Sequence, residues 1–304
     1  MNILLAYPKS PWTAIRWLDK AFKKKCNLTV LDLTKTPYWT DIRFLLPFYV
    51  PKGWPISISK ILKKYGKFDA IIEIDTFGQY HIAGLKKLQI PSCLWATDVY
   101  RFDKRKFQMW MAKDFTYIFV SQKRFIDTFK PKKTYWLPYA CDPDIHRDFK
   151  LKKIYDVVFV GNTDPLLYKD RVRLLELLKT KFNVQIFSNV YEQEMAKIYS
   201  QAKIVLNKSC DGELNLRVFE AMSSGSLLLT DKLESEPWLE ELFRDGKHLV
   251  LYRNDAELLE KCAYYLEHEP EREQIAKTGQ KEVHMNHTFE HRAEEIIKII
   301  SQQL

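Results

Sequence analysis

The sequence predicts an α/β protein built from two doubly wound, Rossmann-like domains. Short apolar runs alternate with amphipathic stretches along both halves of the chain, which is typical of parallel sheets covered by helices. The 304 residues also approach the length at which a single hydrophobic core usually divides into two. We therefore predict domains at residues 1–152 and 153–288, followed by an amphipathic helix at 289–304.

The predicted strands are short apolar runs, with helical patterns between most of them. In the first half they are NILLA, LTVLD, DAIIEI, SCLWA, YIFV and YWLP, beginning at residues 2, 28, 69, 92, 117 and 135. In the second half they are DVVFVGN, VQIFS, IVLN, LLLT and HLVLY, beginning at residues 156, 184, 204, 227 and 248. After Asp255 the pattern is helical to the end of the chain.

Residues 37–55 interrupt this alternation. Their four prolines are incompatible with a regular helix or a central strand, and six aromatic residues lie among them. Three interpretations stay open: a loop that covers an acceptor, a contact with a membrane interface, and aromatic side chains that fold onto the core of their own domain.

The net charge of +9 is unevenly distributed. Residues 1–152 carry 28 Lys and Arg against 13 Asp and Glu, whereas the remaining residues carry 20 against 26. A basic domain of this kind favours an anionic partner such as a membrane surface, a phosphorylated acceptor or nucleic acid. Lysines that serve only solubility are the alternative.

Features of export and membrane insertion are missing from the sequence. The N-terminus has no basic segment ahead of a long apolar run, and no run of about eighteen apolar residues occurs. The five cysteines are scattered, without a C-x-x-C pair. We therefore expect a cytoplasmic chain without disulfides or structural zinc.

Gly161 and Asn162 follow a predicted strand at the edge where open parallel sheets bind their ligands. A glycine there lets the backbone approach a phosphate group. The fingerprints G-x-G-x-x-G and G-x-x-x-x-G-K-[ST] are both absent, which argues against a nicotinamide enzyme and a phosphate-loop ATPase.

The stretch ELNLRVFEAMSSG at 213–225 lies between two predicted strands, so a helix there should begin at the same ligand-binding edge. Helical spacing places Glu213, Arg217 and Glu220 on one stripe, and Gly225 suits the end of the helix. The same spacing also permits an ordinary surface ladder of ion pairs, so the pattern alone leaves both interpretations open.

The second half resembles the C-terminal domain of group 1 glycosyltransferases of the GT-B fold. The resemblance rests on the segments DVVFVGN, LLYKDRVRLLELL, NLRVFEAMSSGSLLLTD, ELFRDGKHLVLYRNDAELLEKCAYYLEHEPEREQIAKTGQKEV and HTFEHR. Upstream, WATDVYRF, AKDFTYIFVSQKRFIDTF and WLPYACDPDIH are similar to the N-terminal domains of the spore-maturation-protein-like branch of that family. The resemblance covers most of residues 90–292 and is weak before them.

This resemblance implies a fold of two Rossmann-like domains facing a cleft, with a C-terminal helix that crosses back onto the first domain. It also implies a nucleotide-sugar donor, such as a UDP-sugar, held mainly by the second domain. By match, Glu220 would accept the ribose hydroxyls, and Arg217 would face the diphosphate or orient Glu220. Further matched positions of the donor pocket are Gly161, Asn162, Asn207 and Asn215.

The family's retaining enzymes carry a second glutamate seven residues before the one matched by Glu220, and Gly212 falls at that offset here. Glu213 or Asp211 are the neighbouring substitutes. Retention or inversion of stereochemistry therefore stays open.

Within this resemblance the departing diphosphate is stabilised by helix dipoles and cationic side chains, so no cofactor and no divalent metal are expected. The local cations are Arg217, Lys208 and Arg171. If the enzyme inverts, Asp98 after the strand SCLWA is the candidate general base, although an Asp at that place is also a common helix cap.

Two patterns raise the alternative of a metal. His284, His287 and His291 have helix-like spacing, but they fall at a predicted helix boundary inside a segment that the family explains. Asp142 and Asp144 mimic a D-x-D motif, but a proline separates them and they lie in the predicted linker.

The sequence thus predicts a metal-independent glycosyltransferase that acts on an unidentified acceptor, which could be anionic, lipid-linked or polymeric. A peripheral membrane contact through the basic half is part of this prediction, and nucleic acid is a less favoured partner. The alternative is a protein that binds nucleic acid or membrane surfaces and retains a degenerate donor site.

Overall fold

The computed structural model describes residues 1–9, 16–33, 54–75, 80–234 and 237–302. The chain divides into two units, one formed by Met1–Pro138 with Arg292–Leu304 and the other by Tyr139–His291. The prolines and aromatic residues at 37–53 lie outside the described residues, so the three interpretations of that loop stay predictions. Trp54 belongs to a strand.

The first unit contains a parallel sheet of six strands. Strands β1 to β8 are Asn2–Tyr7, Asn27–Asp32, Trp54–Ser57, Ala70–Asp75, Tyr80–Ala83, Ser92–Ala96, Tyr117–Val120 and Lys133–Trp136. The six-stranded sheet has the order β2-β1-β4-β6-β7-β8, and β3 pairs in parallel with β5 in a separate two-stranded sheet. The strand order reverses between β1 and β4, as in a doubly wound domain.

Three helices in the described part of Met1–Pro138 accompany this sheet. They are α1 (Arg16–Lys23), α2 (Ile58–Tyr65) and α3 (Phe102–Ala112), and 3-10 turns lie at Leu85–Lys87 and Lys123–Phe129. The central strands are apolar and almost completely buried, because helices cover a parallel sheet on its faces.

The second unit contains a parallel sheet of five strands. Strands β9 to β13 are Tyr155–Val160, Val184–Phe187, Ala202–Asn207, Leu227–Asp231 and Val250–Tyr252, in the order β10-β9-β11-β12-β13. Helices α4 to α9 are Lys169–Lys179, Glu192–Ser200, Leu216–Ser223, Leu239–Leu242, Asp255–Glu267 and Glu269–Asn286. The reversal of strand order between β9 and β11 makes this a second doubly wound unit.

Helix α9 packs so closely on the second unit that Gly279 leaves no room for a side chain. A Cβ atom there would clash with the carbonyl oxygen of His248 and lie 3.3 Å from the sulfur of Met222. Because Met222 belongs to α6, the glycine lets α9 approach both that helix and the loop before β13.

The first unit ends at Pro138, whereas the sequence predicts a domain boundary near Lys152. Residues 139–152 are irregular chain without a helix or named strand, so hydrophobic periodicity carries no signal there. The segment belongs to the second unit through contacts such as Cys141 N to His287 O (3.1 Å) and Phe149 N to the hydroxyl of Ser200 (3.1 Å).

The last helix, α10 (Phe289–Ser301), is divided between the units after His291. Within the first unit, Arg292 Nε donates a hydrogen bond to Pro138 O at 2.8 Å, and Glu294 pairs with Lys25 at 2.6 Å. In the described ranges, no helix has the length and apolar character needed to span a membrane.

Candidate functional site

The strand order of the second unit points to one edge of its sheet. Between β9 and β11 the order reverses, and ligands of open parallel sheets bind beyond the carboxyl ends of the strands at such a point. Six residues lie at or after these two strand ends and are joined to one another through side chains; we call them the switch-point cluster. They are Gly161, Asn162, Arg171, Asn207, Lys208 and Arg217.

Arg217, in the first turn of α6, connects the two strands. Its Nε donates to the carbonyl oxygen of Val160 at 3.0 Å, and its Nη1 donates to Oδ1 of Asn207 at 2.6 Å. The guanidinium also lies over the ring of Phe159, 4.4 Å from the centroid. The helix thus places one cation at the carboxyl ends of both strands.

Gly161 is required by this arrangement. A Cβ atom at this position would clash with Nη2 of Arg217 and would lie 3.2 Å from the ring of Phe159. The backbone of Gly161 is fixed by a hydrogen bond from its N–H to Phe187 O (2.9 Å), while its carbonyl oxygen accepts one from Ser188 Oγ (3.1 Å). Glycine therefore allows a guanidinium to lie against the main chain.

Arg171, from α4, is the second guanidinium of the cluster. Its Nη1 donates to Asn162 O and its Nη2 donates to Lys208 O, both at 3.0 Å. Its centre lies 5.4 Å from the centroid of the Phe159 ring that Arg217 also covers. Burial, and then the charge of Arg217, lower the pKa of Arg171, which shows that two like charges are held close together.

Asparagine and acidic side chains hold the end of β11. The buried Asn207 donates to the hydroxyl of Thr230 at 2.9 Å, and its Oδ1 accepts a hydrogen bond from Asn215 at 3.1 Å. Lys208 forms an ion pair of 2.9 Å with Asp231, whose carboxylate also accepts from the backbone N–H and hydroxyl of Ser209. This lysine is therefore positioned by the end of the neighbouring strand β12.

The helix predicted from residue 213 begins later, at Leu216, and this corrects the predicted stripe. Asp211 and Gly212 have left-handed backbone conformations (φ 53° and 67°), and Asn215 is the N-cap. Glu213 lies in the preceding turn, where its carboxylate accepts from the backbone N–H of Cys210 at 3.3 Å. Helical spacing therefore does not relate Glu213 to Arg217, and the surface ladder does not form as predicted.

Glu220 lies one turn after Arg217 on α6 and is buried rather than exposed at the surface. Its Oε1 lies 3.6 Å from Nε2 of His146, which belongs to the irregular segment after Pro138. Burial raises the pKa of Glu220 from 4.5 to about 7, and the nearby charge of Arg217 opposes that rise. A carboxylate in this environment changes its charge near neutral pH.

Asp98 lies in the first unit, after β6. Its carboxylate accepts a hydrogen bond of 2.6 Å from Lys104, and its own backbone is left-handed (φ 51°). The N-cap of α3 is Arg101, so Asp98 is not the cap of that helix. Its assignment as a base stays a prediction.

The two metal patterns do not gather ligands. Ser223 lies 2.9 Å from Nε2 of His284, whereas His291 Nδ1 lies 2.7 Å from the hydroxyl of Thr288. The carboxylate of Asp142 caps its own turn by accepting from Asp144 N at 2.9 Å. In the part of the chain that the structure describes, no group of three or more His, Cys, Asp or Glu could hold a metal ion.

Three residues of this region are absent from the sequence-based prediction. The apolar pattern of β9 predicts that Phe159 is buried in a strand, but it does not indicate that two arginines lie over the ring. Asp231 ends the strand next to β11, so its position at the same edge of the sheet was a usable signal. His146 comes from irregular chain, where no periodicity indicates which element it faces.

Comparison with known proteins gives one family. A family model described as glycosyl transferase-like matches residues 147–298, which is half of the chain. No curated protein matches the chain at a significant level.

Several solved structures are similar over 99% of the chain. Sucrose-phosphate synthase from Thermosynechococcus elongatus is 12% identical, with 98% of its own chain covered and a TM-score of 0.67. A glycosyltransferase from Rickettsia africae is 12% identical, with 98% of its chain covered and a TM-score of 0.64. HepE from Anabaena, in complex with UDP and glucose, is 14% identical, with its whole chain covered and a TM-score of 0.67. At these identities, the likeness establishes the GT-B fold.

Proposed function

Because the chain belongs to the glycosyl transferase-like family, we propose that it transfers a sugar from a nucleotide-sugar, bound by the second unit, to an acceptor. The HepE structure contains UDP and glucose, which favours a UDP-sugar as the donor here. We further propose that the chain belongs to the spore-maturation-protein-like branch of group 1 glycosyltransferases.

The two guanidiniums over the ring of Phe159 carry this proposal. Arg171 and Arg217 are held by carbonyl and amide oxygens, so the contacts that position them do not neutralise them. The pKa of Arg171 stays lowered despite the nearby charge of Glu213, so a diphosphate that binds both cations would stabilise their charged forms. The negative charge that develops on a departing nucleoside diphosphate is what such fixed cations stabilise.

The other residues take the roles that the family resemblance implies. Glu220 would accept hydrogen bonds from the ribose hydroxyls, and the backbone at Gly161 and Asn162 would lie beside the phosphates. Asn207, Lys208, Glu213 and Asn215 would line the remainder of the donor pocket. We propose transfer without a divalent metal, because the arginines supply the required charge, and activity should therefore persist in EDTA.

A matched pair of variants on α4 tests the donor site. Arg171→Gln removes a cation of the cluster, whereas Arg173→Gln removes an exposed arginine two residues away that pairs with Asp255. We expect calorimetric binding of UDP to weaken about 10- to 100-fold in Arg171→Gln, as for a lost charge-assisted hydrogen bond, and to stay unchanged in Arg173→Gln.

Thermal unfolding of both variants separates lost binding from lost folding. Equal UDP affinity in the two folded variants would overturn the donor site. A mass-spectrometric screen of nucleotide-sugars for hydrolysis without acceptor then identifies the sugar and the base.

For the acceptor we propose an anionic molecule at a membrane surface. Helix α3 exposes Phe102 and Trp110, with exposed fractions of 61% and 44%, beside Arg105 and Lys106. Both cations lie near the Phe102 ring, at 5.6 and 4.2 Å from its centroid. Exposed aromatic and basic side chains on one helix favour an interface rich in anionic lipid.

The same helix and the basic half of the chain favour a second candidate function, a surface-binding protein whose donor site is degenerate. That protein would bind anionic vesicles or DNA in a salt-sensitive manner and would have no affinity for UDP or GDP. Calorimetry with the two nucleotides therefore separates the candidates.

A further inference from the structure

A cavity lies in the same unit as the switch-point cluster, at the opposite edge of the sheet. It has a volume of about 670 Å³ and is lined by the chain before β9, the starts of β11 and β12, and one face of α9. Strand starts and strand ends lie on opposite edges of a parallel sheet, so this cavity is distinct from the proposed donor site.

The cavity carries an excess of positive charge. Five of its lining residues are cations and two are carboxylates. The cations are Lys150, Lys153, Lys203, Arg272 and Lys277, and the carboxylates are Asp148 and Glu273. Lys150 pairs with Asp148 at 2.7 Å, and Lys203 pairs at the same distance with Asp156, outside the cavity lining.

Lys153 is the centre of this charge. Its ammonium group donates to Ser226 Oγ at 2.8 Å and to Gly225 O at 3.3 Å, which uses two of its three hydrogens. Burial lowers the pKa of Lys153 to about 8, because a charged ammonium is unfavourable in a partly dry pocket. A bound anion would offset that cost.

Helix α9 begins beside the cavity. Pro270 lies in its first turn and lines the cavity, so the positive end of an 18-residue helix dipole borders the space, and the carboxylates of Glu269 and Glu271 in the same turn offset part of that potential. Lys277 lies two turns further along the face that lines the cavity. Among the described residues, no hydrogen-bond or ion-pair partner of Lys277 is present.

We propose that this cavity binds a small phosphorylated molecule through Lys153 and Lys277. Its volume falls within the range of about 300–1,000 Å³ that is typical of small-molecule sites. Lys150, Lys203 and Arg272 form ion pairs, whereas Lys153 and Lys277 form none among the described residues. Two such lysines suit a phosphate ester or diphosphate, which carries more than one negative charge, better than a single carboxylate. The ligand would bind at a distance from the sugar transfer and would not be its substrate.

Inorganic pyrophosphate is a suitable probe, with UDP present at saturation to occupy the proposed donor site. The matched variants are Lys277→Glu, which lines the cavity, and Lys281→Glu, one turn further on the same helix and outside the lining. We expect calorimetry to give at least about tenfold weaker pyrophosphate binding for Lys277→Glu and less than about twofold weaker binding for Lys281→Glu.

A third variant, Lys153→Met, removes the central cation and should reduce binding by at least as much, with thermal unfolding as the check on folding. Equal effects of Lys277→Glu and Lys281→Glu, or no binding of millimolar pyrophosphate by the unmodified protein, would overturn the proposal. If UDP itself fails to bind, the proposed donor site is wrong. The difference in pyrophosphate affinity between Lys277→Glu and Lys281→Glu still tests the cavity in that case.

Discussion

Glu220 has a different environment in the fold from the surface position that its sequence pattern permits. As one member of a charged stripe it resembles a surface carboxylate, yet α6 buries it beside His146 and one turn from Arg217. Its pKa of about 7 makes the carboxyl group largely neutral in mildly acidic solution. Both stability and donor binding should therefore depend on pH around neutrality.

The first prediction concerns stability. Because the folded pKa of Glu220 is raised from 4.5 to about 7, its contribution is fully present below about pH 4.5 and is lost as pH rises through 7. The loss is on the order of 3 kcal/mol in the free energy of unfolding. Chemical denaturation from pH 5 to pH 8 should show a smaller decrease for Glu220→Gln than for the unmodified protein; parallel curves would contradict the raised pKa.

The same group predicts the pH dependence of donor binding. If Glu220 holds the ribose as proposed, its ionised form accepts two hydroxyl hydrogens, so affinity for UDP-glucose should rise between pH 6 and pH 8 in the unmodified protein. UDP-glucose suits this measurement because its diphosphate diester keeps the same charge over that range. In Glu220→Gln the affinity should be lower and independent of pH, and a retained pH dependence would assign it to another group.

At the level of the element, α9 contains a glycine, Gly279, whose role is to leave room for a neighbouring backbone rather than to make the helix flexible. A glycine inside a helix usually costs about 0.5–1 kcal/mol relative to alanine. At Gly279 the carbonyl oxygen of His248 occupies the position of the missing Cβ. The usual preference for alanine is therefore reversed at this contact.

We predict that Gly279→Ala lowers the free energy of unfolding by about 2 kcal/mol or more, because α9 must move away from His248. Gly246→Ala is the control, since a Cβ atom there meets nothing within 4 Å and only its left-handed backbone (φ 68°) opposes the change. Urea denaturation should give the smaller loss for Gly246→Ala. A stabilising Gly279→Ala would show that the helix has room at this point.

The sequence allowed most strands to be predicted, because buried parallel strands are continuous apolar runs between helical segments. Strands β3 and β5 escaped prediction because neither is a continuous apolar run: β3 (WPIS) contains a proline and β5 (YHIA) contains a histidine. The start of α6 was misplaced because helical periodicity continues through Glu213, whereas Asp211 and Gly212 set the backbone.

The candidate site was predictable where it follows from topology. Gly161, Asn207 and Arg217 lie at strand ends or at the start of a helix, and the order of elements predicts that edge. The support by Phe159 and the approach of His146 are tertiary contacts between distant segments, and no local pattern encodes them.

At the scale of the whole molecule, charge is the asymmetric property. The first 152 residues are strongly basic and the others are mildly acidic, and α3 exposes aromatic side chains within the basic part. Electrostatic attraction to an anionic surface depends strongly on ionic strength, whereas insertion of aromatic rings does not. The two contributions can therefore be measured separately.

We predict that the protein sediments with vesicles that contain phosphatidylserine and not with neutral vesicles, and that salt weakens this binding. The double variant Phe102→Ser with Trp110→Ser should reduce it further at any salt concentration. The control is Leu166→Ser with Leu167→Ser, two residues of the second unit that are 92% and 66% exposed. If both double variants lose the same binding, α3 is not the contact.

The paired guanidiniums over Phe159 also make the free energy of unfolding depend on the concentration of an anionic ligand. In the empty site, burial and the charge of Arg217 lower the pKa of Arg171, and an anionic ligand would offset both effects. A ligand present at 100 times its Kd adds about 2.7 kcal/mol to the free energy of unfolding. If the cluster binds a nucleotide-sugar as proposed, depletion of that ligand would favour unfolding and degradation of the protein.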